Sequence, residues 1–377
     1  MSQLDTRTNM NNIRHTATAR HRLERYSADR FLNLPEGERN AKTRFASKRI
    51  RLTIGIFITC FILILTLLWS ITLGAADITP EVVYSALFSF DDTNFDHLII
   101  QTVRLPRVLA GAIVGAALAV AGAVMQGITR NPLADSGILG INSGAAFAVV
   151  VAVYLLGAPS LSAYALFGFV GAAIAAVLVY LLGSAGRKGA TPLSLTLSGV
   201  ILSTFISAFT TTILISDQET LDKIRFWTAG SLAGRDMALL LNTAPYMLFG
   251  IGATLLIGKQ ITALSLGEDV ARGLGQRTER IKLTAAALVV LLAGGAVALA
   301  GPIGFVGLVV PHLVRFVAGV DYGWIIPYAA LFGAILTTLA DVGARMVIRP
   351  QELPVGVVMA FIGAPFFIIL ARWKVKR

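Results

Sequence analysis

The sequence predicts an all-α protein that crosses a membrane about ten times. Of its 377 residues, 55% are hydrophobic and only 14% are charged, whereas soluble domains carry roughly 25% charged residues. A soluble fold could not hide so much apolar surface, because single cores stop growing near ~250–300 residues. The 36 glycines agree with this class, since small residues let membrane helices pack closely.

Ten apolar segments support the prediction of about ten transmembrane helices. Most are long enough to cross a hydrocarbon core of ~30 Å at ~1.5 Å per residue. Two of them, 141–157 and 304–319, are short and contain glycine, so we expect them to be tilted, broken or partly buried in protein. The segments are 52–73, 105–128, 141–157, 162–183, 193–215, 237–258, 281–301, 304–319, 323–346 and 355–372.

The N-terminal residues 1–51 differ from the rest of the chain. They hold 12 Lys/Arg and 5 Asp/Glu and show almost no apolar periodicity. We therefore divide the chain into a basic cytoplasmic tail, 1–51, without ordered structure, and a transmembrane domain, 52–377. The tail is expected to lie solvated near anionic lipid; a specific regulatory or binding role is the alternative.

The distribution of positive charge predicts the orientation. With the N-terminus inside and the segments alternating, 24 Lys/Arg fall on the inner side and 7 on the outer side, and Arg315 lies within a segment. Because cytoplasmic loops carry the excess of Lys and Arg, both termini are predicted to be cytoplasmic. The first outer loop, 74–103, contains five acidic residues and no Lys or Arg.

A weak internal repeat links residues 107–145 with residues 280–319. In each, a helix rich in small residues leads into a Gly- and Pro-containing stretch. The two units start five segments apart, and an odd offset gives them opposite directions in the membrane. That is the pattern of an inverted repeat, which is typical of transporters.

Several chemistries lack the residues they need. The sequence contains no P-loop motif, and its single cysteine, Cys60, lies in an apolar run. The four histidines do not cluster, so neither a metal site nor an intramembrane enzyme is indicated. An ion-coupled secondary carrier would need buried carboxylates, and only Asp341 lies well inside a segment. Carrier and enzyme remain the alternatives to the function considered next.

Five polar islands interrupt the apolar sequence, and each admits a structural and a functional interpretation. Arg104–Arg107 could be interfacial arginines or a docking site for an acidic partner. Asn131–Gly144 could be a tight turn or the wall of a cavity. Lys259–Lys282 could be a solvated loop or a partner contact. The islands are Arg104–Arg107, Asn131–Gly144, Lys259–Lys282, Gly304–Arg315 and Asp341–Gly363.

Together the islands resemble one family, the FecCD or BtuC-like permeases of ABC importers for iron-siderophores, haem and vitamin B12. The resemblance runs from about Val103 to Trp373 and leaves the tail outside. Ser136 departs from it, because the family often has proline after the acidic residue. The motifs are RLPRVLAGAIVGAALAVAGAVMQGITRNPLAD, ALSLGEDVARGLG, GPIGFVGLVVPHLVR and ELPVGVVMAFIGAPFF.

The resemblance implies a ten-helix subunit of the type II importer class in the bacterial inner membrane. This subunit pairs with a second copy or a related permease, with the transport pathway between them. It also implies two cytoplasmic ATPase subunits that hold ATP and Mg, an external substrate-binding protein, and neither a cofactor nor nucleic acid for this chain. A ferric siderophore is the first expectation for the cargo; haem or cobalamin is the alternative.

The resemblance also assigns roles to residues. The arginines implied to dock the binding protein are Arg104, Arg107 and Arg345. The residues implied to couple to the ATPase are Leu264, Gly267, Glu268, Ala271, Leu274 and Gly275. Within this loop we expect a helix over Glu268–Gly273, with Ala271 allowing close approach of the partner and Leu274 anchoring it. The family's inner gate falls near Gly189–Leu193, and the pathway or gate candidates are Asn131, Pro132, Asn142, Pro192, Pro311 and His312.

Overall fold

The fold was examined in a computed structural model, which describes residues 36–74, 78–157, 160–185 and 191–375. Over those residues every regular element is helical, which confirms the all-α class. The α-helices are α1 (Glu36–Thr72), α2 (Pro80–Phe88), α3 (Phe95–Ile99), α4 (Leu105–Thr129), α5 (Ile141–Leu156), α6 (Leu161–Ser184), α7 (Pro192–Ser216), α8 (Gln218–Thr228), α9 (Met237–Leu256), α10 (Gly258–Leu266), α11 (Glu268–Gly273), α12 (Thr278–Ala300), α13 (Val306–Ala318), α14 (Tyr322–Met346) and α15 (Val355–Val375).

Ten of these helices correspond one for one to the predicted apolar segments. Seven contain stretches long and apolar enough to cross a membrane. Three shorter apolar stretches complete the set: Ile141–Leu156, Val306–Ala318 and Val355–Ile369. The first two are the segments expected to be short, so the prediction of a polytopic membrane protein is confirmed.

The first helix begins earlier than the sequence analysis expected. The predicted tail ended at residue 51, yet α1 already begins at Glu36. The stretch after Pro35 is rich in Glu, Ala, Lys and Arg, which favour helix even without an apolar face. The lack of hydrophobic periodicity in residues 36–51 therefore did not mean that these residues lack helical structure. Residues 1–35 of the predicted tail lie outside the described residues.

Helix α4 is the centre of the bundle formed within Ile56–Arg377. It packs against α14, α12, α13 and α9. The most apolar part of Phe95–Thr129 is 78% buried inside the protein. The most apolar part of Leu193–Ser216, in α7, is only 6% buried. Helix α7 therefore presents its apolar side chains to whatever surrounds this chain, and α4 organises the interior.

Glycine allows the helices around α4 to approach each other closely. A Cβ added at Gly122 would overlap the carbonyl oxygen of Gly307, at the start of α13. Gly115 of α4 and Gly333 of α14 are in mutual contact of the same kind. Helix contacts of this type are typical of membrane bundles, where close van der Waals packing replaces the hydrophobic effect.

The two predicted repeat units run in opposite directions. Helix α4 begins beside Asp341, near the end of α14, and its last turn packs near Leu264 of α10. Helix α12 begins beside Glu268 of α11 and ends where Ser231 N–H donates to Ala300 O. Each long helix leads through an irregular link with a positive φ, at Arg130 and Phe305, into a short helix. This order agrees with the predicted inverted repeat.

Candidate docking and coupling sites

The implied docking and coupling residues lie at opposite ends of α4. Arg107 lies in its first turn, and Ile128 in its last turn packs against Leu264 and Ala271. Arg107 and Ile128 are 21 positions apart in this helix, which corresponds to about 32 Å at 1.5 Å per residue. This is close to the ~30 Å of a bilayer core. We call the two ends the arginine end and the loop end.

At the arginine end, Arg107 holds two carboxylates. Its Nε lies 3.1 Å from both oxygens of Asp341, and its Nη2 lies 2.9 Å from Asp341 Oδ1. Its Nη1 donates to Glu352 Oε2 at 2.7 Å. The Asp341 and Arg107 side chains are 3% and 9% exposed. This geometry ties α4 to α14 and to the segment that precedes α15.

Arg345 and Arg104 also belong to this cluster, and both donate hydrogen bonds to main-chain oxygens at the C-terminal end of α1. Arg345 Nε lies 3.1 Å from Asp341 Oδ2, and its two Nη atoms donate to Ser70 O, Leu73 O and Ser70 Oγ. Arg104 Nη1 donates to Ile71 O and Thr72 O at 2.7 and 2.8 Å. The last carbonyls of a helix lack intrahelical partners and carry partial negative charge, so these arginines cap α1.

The three arginines therefore share one end of the bundle, where each already has partners within the chain. Arg104, Arg107 and Arg345 are 6%, 7% and 3% exposed. A carboxylate arriving from a partner would have to compete with Asp341, Glu352 or main-chain oxygens. Their docking role stays a prediction, and the geometry adds a structural role that the sequence interpretation did not include.

At the loop end, the predicted short helix is present with the expected bounds, Glu268–Gly273. Gly267 precedes it with φ +139°, and Gly275 follows it with φ +79°. Both values lie in the region that favours glycine. Gln276 N–H donates back to Ala271 O at 3.0 Å, which closes the end of the helix. The two glycines that the motif supplies thus define where α11 starts and stops.

Glu268 joins α11 to the start of α12. Its carboxylate accepts from Lys282 Nζ and from Arg272 Nη2, both at 2.7 Å, and from Thr278 Oγ1 at 3.3 Å. The hydrogen bond from Lys282 is the largest influence and lowers the pKa of Glu268 below its ordinary value. A group whose pKa is lowered on folding contributes stability above its unfolded pKa, about 4.3 for Glu. That contribution is lost as the pH falls through the lowered, folded-state pKa.

We expect Glu268→Gln to loosen this loop at neutral pH, because the amide loses the charge that attracts Lys282 and Arg272. Hydrogen exchange at the amides of Ala271 and Gln276 should accelerate, while exchange in α4 should stay unchanged. Matched Glu279→Gln serves as the control, since Glu279 is 69% exposed and lies 3.4 Å from Lys282. Equal exchange in both variants would show that Glu268 does not order the loop.

The loop side chains divide into an inward and an outward set. Ala271 is fully buried and Leu264 is 2% exposed, and the two pack together with Ala263. The expectation that Ala271 faces the partner is therefore wrong: its small size serves packing within the chain. Leu274 is 68% exposed and Val270 is 48% exposed. Leu266 is 63% exposed as well, so these three apolar side chains are available to a partner.

The pathway candidates do not form one cluster. Asn131 Oδ1 accepts from Leu133 N at 3.0 Å and so shapes the turn that contains Pro132. Asn142 lies at the start of α5, and its buried Oδ1 has no partner among the described residues. Pro311 and His312 are buried inside α13, where His312 Nδ1 lies 3.0 Å from Leu308 O. The stretch from Asn131 to Asn142 approaches α13 at Asp135, since a Cβ added at Gly307 would overlap Asp135 Oδ1.

The predicted inner gate, Gly189–Leu193, is described only in part, because Gly189 and Ala190 lie outside the described residues. The structure describes the backbone from Thr191 onward, and Pro192 is the first residue of α7. Thr191 and Ser194 form a reciprocal capping box there. The backbone thus supports a helix start at this position, and the gating role stays a prediction.

Sequence reasoning missed a buried polar link near the loop end. Arg315 Nη1 donates to Gln126 Oε1, and Arg315 Nη2 donates to Tyr322 Oη at 3.2 Å. Gln126 Nε2 donates to Gly307 O at 3.2 Å. The signal that could have found this link is a lone Gln within the otherwise apolar helix α4, since a buried amide needs partners.

Comparison with known proteins gives a consistent result. The sequence profile of the FecCD transport family matches residues 62–373. The chain is 45% identical over 306 residues to the iron(3+)-hydroxamate import system permease protein FhuB of Bacillus subtilis, covering 80% of this chain and 79% of that protein. It is 43% identical over 333 residues to the Fe(3+)-citrate import system permease protein YfmD of the same organism, covering 88% and 97%.

A solved structure extends the comparison to the fold. A metal-chelate type ABC transporter in an inward-facing conformation superposes with a TM-score of 0.75 at 31% identity, covering 84% of this chain and 98% of that one. The family match spans most of the chain and includes both ends of α4, with the arginine cluster and the loop helix α11. The chain therefore belongs to the FecCD transport family.

Proposed function

We propose that this integral membrane protein is the permease subunit of an ATP-driven ABC importer that carries ferric chelates inward. The observation that carries the proposal is the arrangement along α4. An arginine cluster lies at one end, and an apolar, partner-accessible loop helix lies about 32 Å away at the other end. The matched relatives are named for permease roles in hydroxamate- and citrate-bound iron import, which supports a ferric chelate as cargo.

The mechanism is alternating access driven by partner subunits. Closure of two ATPase subunits pushes on α11, and Glu268 passes the displacement to α12 through Lys282. Helix α12 packs on α4, so the push reaches the centre of the bundle. Hydrolysis takes place on the ATPase subunits, which hold ATP and Mg, and this chain performs no covalent chemistry.

As an importer permease, the chain has a defined orientation in the membrane and defined partner subunits. The loop end is cytoplasmic, together with both chain termini, and the arginine end faces the external binding protein. A second permease copy, or a related permease, pairs with this chain and encloses the pathway. The host membrane is the bacterial inner membrane.

An ion-coupled carrier is the rival function, and the arginine cluster argues against it. Such a carrier needs a membrane-buried carboxylate that can gain and lose its proton. Asp341 is the candidate that the sequence offered, yet it lies between Arg107 and Arg345 at 2.9–3.1 Å. Both of its carboxylate oxygens are already paired with these arginines, so Asp341 serves as a structural ion-pair partner rather than as a free carboxylate for a coupling ion.

The test is gentle purification from native membranes, followed by a coupling variant. The wild-type chain should retain an ATPase subunit in stoichiometric amount. Leu274→Asp should weaken that retention about tenfold or more, because burying a Leu side chain contributes roughly 1.5–3 kcal/mol. Leu274→Met, which keeps the side chain apolar, should behave like wild type.

Two results would contradict the proposal. If the wild-type chain purifies without any ATPase subunit, the proposed importer function is wrong. If Leu274→Asp transports at the wild-type rate in proteoliposomes, α11 is not the coupling element. Ala271→Trp is a poor probe, because Ala271 is fully buried and a Trp there would disrupt the loop itself.

A further inference from the structure

A cavity of about 410 Å³ opens at the arginine end, beside the cluster just described. It lies between the loop that follows α8 and the segment that precedes α15. Phe226, Trp227 and Pro354 supply apolar walls, and Ser231, Arg235 and Glu352 supply polar groups. None of the assigned docking or coupling residues lines it.

The backbone around the cavity is held in place from two sides. Ser231 N–H donates to Ala300 O at 2.8 Å, and Gly356 N–H donates to Gly230 O at 3.0 Å. Gly230 has φ +75°, and a Cβ at this position would overlap the carbonyl oxygen of Pro302. The loop that carries Arg235 is therefore fixed before any ligand arrives, which is the condition for a preorganised site.

Arg235 is a buried cation without an acidic partner. The residue is 6% exposed, and its Nε and Nη2 donate only to Ser231 O, at 3.3 and 3.2 Å. Among the described residues no carboxylate lies within ion-pair distance of it. Its neighbour Asp236 instead caps α9 by accepting from Leu239 N at 2.7 Å. Burial lowers the pKa of Arg235, which reflects the cost of holding this charge away from water.

Trp227 lines the same cavity, and its indole nitrogen is a second unused donor. The residue is 5% exposed, and its indole Nε1–H is buried with no acceptor in the described part of the chain. The one carboxylate on the wall, Glu352, is engaged by Arg107 at 2.7 Å. The neighbouring cluster holds three arginines against two carboxylates. Both the unused donors and the local charge favour an anionic group that accepts hydrogen bonds.

The size of the cavity distinguishes a small molecule from a single side chain. Small-molecule sites commonly enclose about 300–1,000 Å³, and 410 Å³ falls in that range. The planar guanidinium of arginine suits a carboxylate, which it can bind through two parallel hydrogen bonds. The apolar walls suit the carbon skeleton that carries such a group.

We propose that Arg235 and Trp227 form a subsite for a carboxylate group of the transported chelate at the arginine end. The proposal rests on the importer function given above and narrows its cargo to ferric chelates with a free carboxylate. Arg235 binds the carboxylate, Trp227 donates to it, and Phe226 and Pro354 contact the adjoining carbon atoms.

The experiment is calorimetric titration of the full chain in lipid nanodiscs. The probes are citrate, ferric citrate, the ferric hydroxamate of desferrioxamine B, which has no carboxylate, and inorganic phosphate. Citrate and ferric citrate should bind, and the other two should bind at least about tenfold more weakly. Arg235→Ala should weaken citrate binding by about tenfold or more, as expected for the loss of a hydrogen bond to a charged group.

Three further variants make the result specific. Arg235→Lys keeps the charge without the planar fork, so its affinity should fall between those of wild type and Arg235→Ala. Trp227→Phe should weaken citrate binding several-fold by removing one hydrogen bond. Arg225→Ala removes the same charge from the exposed face of α8, where the side chain is 59% exposed, and should leave citrate binding unchanged. Equal thermal unfolding midpoints establish that the variants are folded.

Several outcomes would overturn the inference. The inference is wrong if wild type releases no heat with citrate, if Arg235→Ala binds citrate as tightly as Arg225→Ala, or if phosphate binds as tightly as citrate. A variant that loses capture of the external binding protein while wild type shows no citrate binding would assign the cavity to an acidic side chain of that partner instead. None of these results affects retention of the ATPase subunit, so failure of the subsite and failure of the importer function remain distinguishable.

Discussion

Asp341→Ala is expected to lower the free energy of unfolding by about 3–5 kcal/mol, the cost of breaking a buried ion pair by removing one partner. The loss leaves Arg107 and Arg345 without the carboxylate that lies 2.9–3.1 Å from each. Both arginines are buried, and water cannot replace the missing charge. At about 1.36 kcal/mol per factor of ten, the ratio of folded to unfolded protein should fall by roughly two to four orders of magnitude.

The measurement is equilibrium unfolding in mild detergent, followed by the yield of monodisperse protein from membranes. Glu219→Ala is the matched control, because Glu219 forms an ion pair with Lys223 on α8 and is 75% exposed. Exposed pairs contribute about 0–1 kcal/mol, so the control should unfold like wild type. If both variants unfold alike, the cluster does not hold the arginine end together.

This cluster shows where sequence reasoning reached its limit. Asp341 and Arg345 are four residues apart on one helix, a spacing at which two side chains can pair. Arg107 is 234 residues from Asp341 in the chain, and no local pattern connects them. The arginines were therefore interpreted as a surface for a partner. Only the packing of α4 on α14 shows that Arg107 and Arg345 share Asp341 as an ion-pair partner inside the chain.

The loop end was predicted more completely because its signals are local. Gly267 and Gly275 flank α11, and their positive φ values account for the helix bounds that the sequence indicated. The sequence did not show which side chains of the loop point into the protein and which point outward. Ala271 is buried against Leu264 of α10, whereas the sequence alone predicts that this small residue allows close approach of a partner. Leu274, by contrast, is exposed as expected.

The ten apolar segments were recovered because hydrophobicity over ~20 residues depends on the membrane rather than on tertiary contacts. The start of α1 was missed for the complementary reason. Residues 36–51 form a helix from intrinsic preference, and apolar periodicity reports only helices that bury a face. The Arg235 cavity was also beyond prediction, since Trp227 and Glu352 come from distant parts of the chain and meet only in the fold.

The tight contact between α4 and α13 leads to the second large expected effect, from Gly122→Ala. A Cβ at this position would overlap the backbone carbonyl of Gly307. Backbone cannot rotate away as a flexible side chain can, so α13 must shift as a unit. Overpacking in a well-packed interior typically costs about 1–3 kcal/mol, and occasionally more. We expect the upper part of this range or beyond, because Gly307 is itself tightly enclosed: a Cβ there would overlap Asp135 Oδ1 and lie 2.9 Å from Leu118 O.

Gly252→Ala in α9 provides the matched control for Gly122→Ala. Both positions lie inside long helices, yet a Cβ at Gly252 would meet nothing within 4 Å. There the substitution should stabilise the chain slightly, since Ala is favoured over Gly in a helix by about 1 kcal/mol. The two variants should therefore shift the unfolding midpoint in opposite directions under one detergent condition. A Gly122→Ala midpoint equal to or above that of wild type would show that α4 and α13 do not pack through this glycine pair.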